Sequence, residues 1–262
     1  MIPINIDLLF QILLVIFIIN LTITGIFLLI RSLQIGLWNL FYLGIGSFLV
    51  VLGFIGNYLF NLGTVFEDFC VNTGFVFAAF YTKSTFYRNR KNYSNLLLIL
   101  IIILGYIHFI ISILTFTYPS IVIWYVEKLI DAFFTFLVFS WMGLSSYKAL
   151  IRLKDQPIQP WIKFRYKILT LSSLILSIQA IPEIFMPYRT YYADTSVMIN
   201  FIIFIITFSL ALIYSFCHLV GWLMPKWLKN YLNREHLVLE EAKYSEQELM
   251  TLLRNQLSKN NE

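Results

Sequence analysis

Ile121–Lys148 reads IVIWYVEKLIDAFFTFLVFSWMGLSSYK, and its reading decides the class of molecule. From Leu129 to Met142 every residue is apolar or small except Asp131, Thr135 and Ser140. Glu127, Lys128 and Asp131 crowd one end, and the basic segment Lys148–Lys167 begins at the other. Charge in or beside an apolar span is costly and marks a role. A basic flank on one side only marks the cytoplasmic end. The stretch reads as a membrane span with polar chemistry toward its outer end.

Composition extends that reading to the whole chain. Of 262 residues, 59% are hydrophobic and 13% charged, where a soluble domain carries about 25% charged residues. Seven apolar runs, about 8–30, 38–60, 65–87, 96–117, 123–147, 168–188 and 197–223, each hold the ~20 residues that a hydrocarbon core requires. The expected fold is all-α: a seven-span bundle over 1–224 and a cytoplasmic tail over 225–262. No basic segment precedes the first run, so it reads as a retained span rather than a cleaved leader. Cys70 and Cys217 fall near opposite faces of such a bundle, which separates them too far for a disulfide.

Lys and Arg orient the bundle. With the amino end outside, 17 of the 19 basic residues fall on inner segments, leaving Lys128 and Arg189 outside. The 14 acidic residues divide evenly, so the inner side carries +10 and the outer side −5. Moving the count by one span would erase this asymmetry. The chain is therefore expected to be a multi-pass protein of the cell membrane, with its carboxyl end in the cytoplasm. Its net charge of +5 belongs to that topology rather than to nucleic-acid binding.

Two inner segments stand out. In the loop 148–167, Pro157 and Pro160 stop the preceding helix. Trp161, Phe164 and Tyr166 then alternate with Lys163, Arg165 and Lys167, a composition suited to the headgroup boundary or to docking a partner. After the last span, Trp227, Leu228, Tyr231 and Leu232 share one helical face and Lys226 and Lys229 lie toward the other, a short helix along the inner leaflet. Further on, Ser245 and Glu248 form a capping box that starts a helix over 245–257. Its face of Leu249, Leu252, Leu253 and Leu257 wants a partner surface, because so short a helix is marginal alone.

Counting 1.5 Å per residue from each inner flank brings Asp68, Asp131 and Glu183 to one depth, about 22 to 25 Å up. Glu67 adjoins Asp68; Asn72 lies a turn below it, Gln179 a turn below Glu183, and Glu127 a turn above Asp131. Two readings stay open. These groups cap helices at the outer interface and pair with Lys128 and Arg189, or they line an outward-opening acidic pocket for a cation or amine-bearing ligand. An ion path is a third reading, weakened because only Asn20, His108, Ser140, Thr207 and His218 lie deeper. His108 reads as a hydrogen-bonded packing residue. Pro182 permits a kink beside Glu183, and Gly44, Gly46, Ser47, Gly53 and Gly56 permit close helix contact.

No motif for catalysis, metal or cofactor emerges. His108 and His218 differ in depth, so they do not make the three-histidine set of zinc-dependent seven-span enzymes. No phosphate-cradling glycine loop or cysteine pair is present, and the last span, Val197–Leu223, has no lysine to carry retinal.

The seven-run layout resembles seven-helix receptors and the seven-span sensor modules of prokaryotic signalling proteins. The resemblance covers all seven runs and is one of topology. The segment Tyr81–Arg90 does not reproduce the arginine motif of G-protein-coupled receptors, although the helix after span seven is similar in position to theirs. The resemblance implies a receptor or sensor; with the depth count above, its ligand is expected at Asp68, Asn72, Glu127, Asp131, Gln179 and Glu183. The inner loop and tail would then relay to a cytoplasmic partner or to a second copy. The alternatives are a transporter or channel subunit and a membrane scaffold. Abundant Ile, Asn, Lys and Phe suggest an AT-rich archaeal or bacterial genome.

Overall fold

The computed structural model describes residues 6–88, 93–154, 156, 158–188, 190 and 198–233. Among the described residues all regular structure is helical: α1 (Ile6–Ile35), α2 (Trp38–Tyr58), α3 (Thr64–Phe86), α4 (Ser94–Thr117), α5 (Ile121–Leu153), α6 (Pro160–Ser177), a 3-10 turn (Ile181–Phe185), α7 (Met198–Leu223) and α8 (Lys226–Asn233). Five of these, α1, α2, α4, α7 and α6 with its 3-10 extension, are long and apolar enough to cross a membrane. α3 and α5 are not among the five; α3 carries Glu67, Asp68 and Lys83, and α5 carries Glu127, Lys128, Asp131, Lys148 and Arg152. At 33 residues α5 is about 50 Å long.

The helices close a ring. α1 packs on α2 and α7, α2 on α3, α3 on α5, α5 on α6 and α6 on α7, while α4 leans on α3 and α5. Their faces are sorted opposite to a soluble protein. On α4, Ser94, Gly105, His108 and Ser112 are buried while Leu96, Ile99, Ile103 and Ile110 are exposed. On α1, Asn20 and Thr24 are buried while Val15, Ile19, Ile23 and Ile26 face out. An apolar rind around a polar interior is what a hydrocarbon solvent selects, since interior polar groups can pair with one another. Asn20 Nδ2 donates to Ser215 Oγ at 3.3 Å, tying α1 to α7. Asn39 Nδ2 donates to Thr85 Oγ1 at 3.1 Å, tying α2 to α3.

Glycine sets the tightest crossing. A Cβ on Gly46 would sit 2.8 Å from the Gly74 carbonyl oxygen, and one on Gly74 would sit 2.7 Å from that of Gly46. Backbone meets backbone there, so no side chain can yield. The two helices join through a short turn in which Gly63, at φ 87°, takes a conformation that L side chains rarely adopt.

The inner end differs from the sequence reading. The segment 148–167 is not one loop: α5 runs on to Leu153 and α6 starts at Pro160, a residue that tolerates the first helical position. Trp161 and Arg165 are thereby four residues apart on one helix, not alternating along an interfacial strand. Trp161 is buried, and the Arg165 guanidinium stacks between the rings of Trp161 (4.9 Å) and Trp222 (5.1 Å) while its Nε donates to Gly221 O at 2.9 Å. Lys163 Nζ donates to Lys154 O at 2.8 Å, closing the end of α5. On α8 the expected apolar face divides. Trp227 and Tyr231 are exposed, whereas Leu228 and Leu232 pack on the cluster of Leu153, Ile158, Trp161, Ile162 and Met224. Lys229 folds over the Trp161 ring at 4.6 Å, where burial and then the charges of Arg165 and Arg31 pull its ammonium below the usual lysine range. Leu249, Leu252, Leu253 and the capped helix 245–257 lie outside the described residues.

Candidate functional site

The ring encloses a cavity of about 460 Å³. Asp68, Asn72, Glu127, Asp131, Gln179 and Glu183 all line it, so the six polar residues singled out in the sequence meet around one space. Each arrives for a local reason. Helical rise puts Asp68 and Asn72 a turn apart on the inner face of α3, and Glu127 and Asp131 a turn apart on α5. Gln179 and Glu183 get there because α6 ends at Ser177. Pro182 lacks an N–H and its ring opposes a continuing α-helix, so the chain tightens into the 3-10 turn and swings Glu183 inward.

α3 and α4 run antiparallel, and their polar residues pair as rungs. His108 Nδ1 donates to Asn72 Oδ1 at 3.0 Å, and one turn away Ser112 Oγ donates to Asp68 Oδ2. His108 is hydrogen-bonded as expected, but it does not lie below the acids. Its Nε2 lies 3.8 Å from both Glu127 Oε1 and Asp131 Oδ1, level with them. The depth count missed this because the register of α4 against α5 is a tertiary quantity. The signal was nonetheless present: Asp68 and Asn72, and His108 and Ser112, are both i, i+4 pairs on neighbouring antiparallel helices.

Lys128 supplies the cation. Its Nζ lies 3.3 Å from Glu127 Oε1, 3.8 Å from Glu183 Oε2 and 5.1 Å from the centre of the Trp124 ring. Glu67, at the rim, accepts from Asn57 Nδ2. Five carboxylates therefore line the cavity (Glu67, Asp68, Glu127, Asp131 and Glu183) against one lysine and one histidine. Arg189, the other outer cation of the sequence, lies outside the described residues.

Among the described residues, three buried polar atoms along the cavity have no hydrogen-bond partner: Asn72 Nδ2, His108 Nε2 and Thr207 Oγ1, on residues only 6%, 4% and 4% exposed. An unmet buried polar atom costs about 1–3 kcal/mol, so these mark places where a further group would be stabilised. Below the acids the lining turns apolar, through Phe17, Leu21, Leu43, Phe139 and Ala211 to Tyr214. His218 is buried against the Tyr214 ring, 4.2 Å between centroids. Edge-to-face contacts of Tyr81 with Phe86 and Trp222, and of Phe86 with Tyr166, form the layer beneath. Among the described residues no group of three or more His, Cys, Asp or Glu side chains is arranged to hold a metal ion. No family model, curated protein or solved structure matches the chain.

Proposed function

We propose that the chain is a seven-span receptor- or sensor-like membrane protein of the cell membrane, amino end outside and carboxyl end in the cytoplasm. In this reading α3 and α5 complete the seven crossings, and the cavity opens outward to bind a small cation or amine. Binding shifts α5 and α6 relative to each other, and the inner ends of those helices, with α8 and the tail, report to a cytoplasmic partner. One observation carries it: among the described residues, five carboxylates converge on one cavity against a single lysine and a single histidine. Carboxylates held in a low-dielectric interior need a compensating positive charge, and an added ammonium supplies it. A ligand can drive such a relay only by binding one bundle state better than another.

The test is thermal stability of the purified full chain against a panel of amines and inorganic cations. A ligand at a hundred times its Kd raises unfolding free energy by about 2.7 kcal/mol. A concentration-dependent rise in Tm that Asp131→Asn abolishes supports the reading; no rise with any member defeats it. The depth of the cavity favours transport as a second reading. Flux of a bound amine into liposomes, lost in Asp131→Asn, would move the assignment there.

A further inference from the structure

The shape of the cavity says more than its charge. On α2 its lining runs from Tyr58 to Leu43, fifteen residues or about 22 Å, and on α5 from Trp124 to Phe139, the same distance. A cavity of about 460 Å³ is spread along that length, room for an elongated organic molecule. The same volume equals about 15 waters at ~30 Å³ each, far more than an inorganic cation occupies. Polarity is segregated along the axis. The acids, His108 and Lys128 gather at one end, while Leu21, Leu43, Gly46, Ala78, Ala211 and Tyr214 line the other.

The polar end also has a particular donor demand. With Nδ1–H given to Asn72, the neutral His108 ring turns its Nε2 lone pair toward two carboxylate oxygens, each 3.8 Å away. That gap is too long for a hydrogen bond. The contact is attractive only with a proton between the groups, carried by the ring or by a bound donor. A primary ammonium has three N–H donors, which match Glu127 Oε1, Asp131 Oδ1 and His108 Nε2 at charge-assisted contacts of about 2.8 Å.

We infer that the ligand is a single-chain amphiphile, an ammonium head on an alkyl tail, with the head among Glu127, Asp131 and His108 and the tail directed toward Tyr214. This rests on the amine-binding reading above and narrows it to a ligand class. From Asp131 to Phe139 is eight residues, about 12 Å of helix. At roughly 1.2 Å of advance per bond, a tail of about ten carbons fills it.

The test measures displacement of an alkylamine that bears a dansyl group at the far end of its tail and keeps its amine free, from the full-length protein in lipid nanodiscs, with empty nanodiscs subtracted. The competitors are ethylamine, hexylamine, decylamine, hexadecylamine, decanol and decanoate. The expected affinity rises with tail length by up to about fourfold per methylene and stops rising near ten carbons, while decanol and decanoate compete at least a hundredfold more weakly than decylamine. Ala211→Phe, which fills the apolar leg, removes the advantage of decylamine yet keeps ethylamine binding, and that retained binding certifies its fold. Ethylamine binding as tightly as decylamine, or decanol matching decylamine, overturns the inference and leaves the amine-binding reading or a purely apolar occupant. If neither short nor long amines bind, both readings fall together.

Discussion

His108 on α4 gives its Nδ1 proton to Asn72 Oδ1 on α3 across 3.0 Å, with both side chains buried. That bond turns the ring so that Nε2 faces Glu127 and Asp131 on α5. Three helices are thus held in register by one imidazole. Asn72→Leu leaves the ring N–H without an acceptor and should cost about 1–3 kcal/mol. His108→Phe in the same background should recover part of that loss, since neighbouring sites are not additive. Denaturant unfolding in mild detergent measures both, and additive losses would show the bond to be idle.

The Gly46–Gly74 crossing is part of the cavity wall. Gly74→Ala places a methyl about 2.7 Å from a backbone oxygen that cannot turn aside. Overpacking of this kind costs about 1–3 kcal/mol, and Gly46→Ala should cost a similar amount. The double variant should lose amine binding as well as stability, because α3 carries Asp68 and Asn72. A wild-type Tm in either single variant would contradict the crossing.

At the acidic end, Asp131→Asn keeps the volume and removes one charge. Its amine-dependent gain in Tm should vanish while its ligand-free Tm stays within a few degrees of wild type. Glu67→Gln, whose carboxylate is already engaged at the rim by Asn57, should keep most of the gain. Equal loss in the two variants would argue for a diffuse field rather than a seat for the ammonium.

Arg165 joins α6 to α7 through two indole faces and the Gly221 carbonyl. Lysine lacks both the planar stacking surface and the fork of donors. Arg165→Lys should therefore loosen α8 and speed limited proteolysis after residue 225, with amine binding at the other end unchanged. An unchanged digestion profile would show that α8 is held by Leu228 and Leu232 alone.

Orientation is open to direct chemistry. In a background with Cys70 and Cys217 replaced by serine, Ser120→Cys should react with a membrane-impermeant maleimide on intact cells. Gln159→Cys should react only after permeabilisation. The reverse pattern would invert the proposed topology and place the acidic cavity on the cytoplasmic side.

The sequence by itself determined the all-helical class and the apolar character of the membrane-capable segments. These follow from quantities that act locally: transfer free energy along a segment and a fixed rise per residue. Pro182 and the glycines of α2 were legible for the same reason, since backbone limits travel with the residue. The tertiary structure alone decided which faces meet. It raised His108 to the level of Glu127, split the leucines of α8 from Trp227 and Tyr231, and drew Arg165 between two tryptophans instead of leaving it at an interface. Between apolar helices in a hydrocarbon solvent, burial hardly distinguishes one neighbour from another. Azimuth and register are set by backbone approach and by polar pairs such as Asn72 with His108, and these form only when distant segments are brought together.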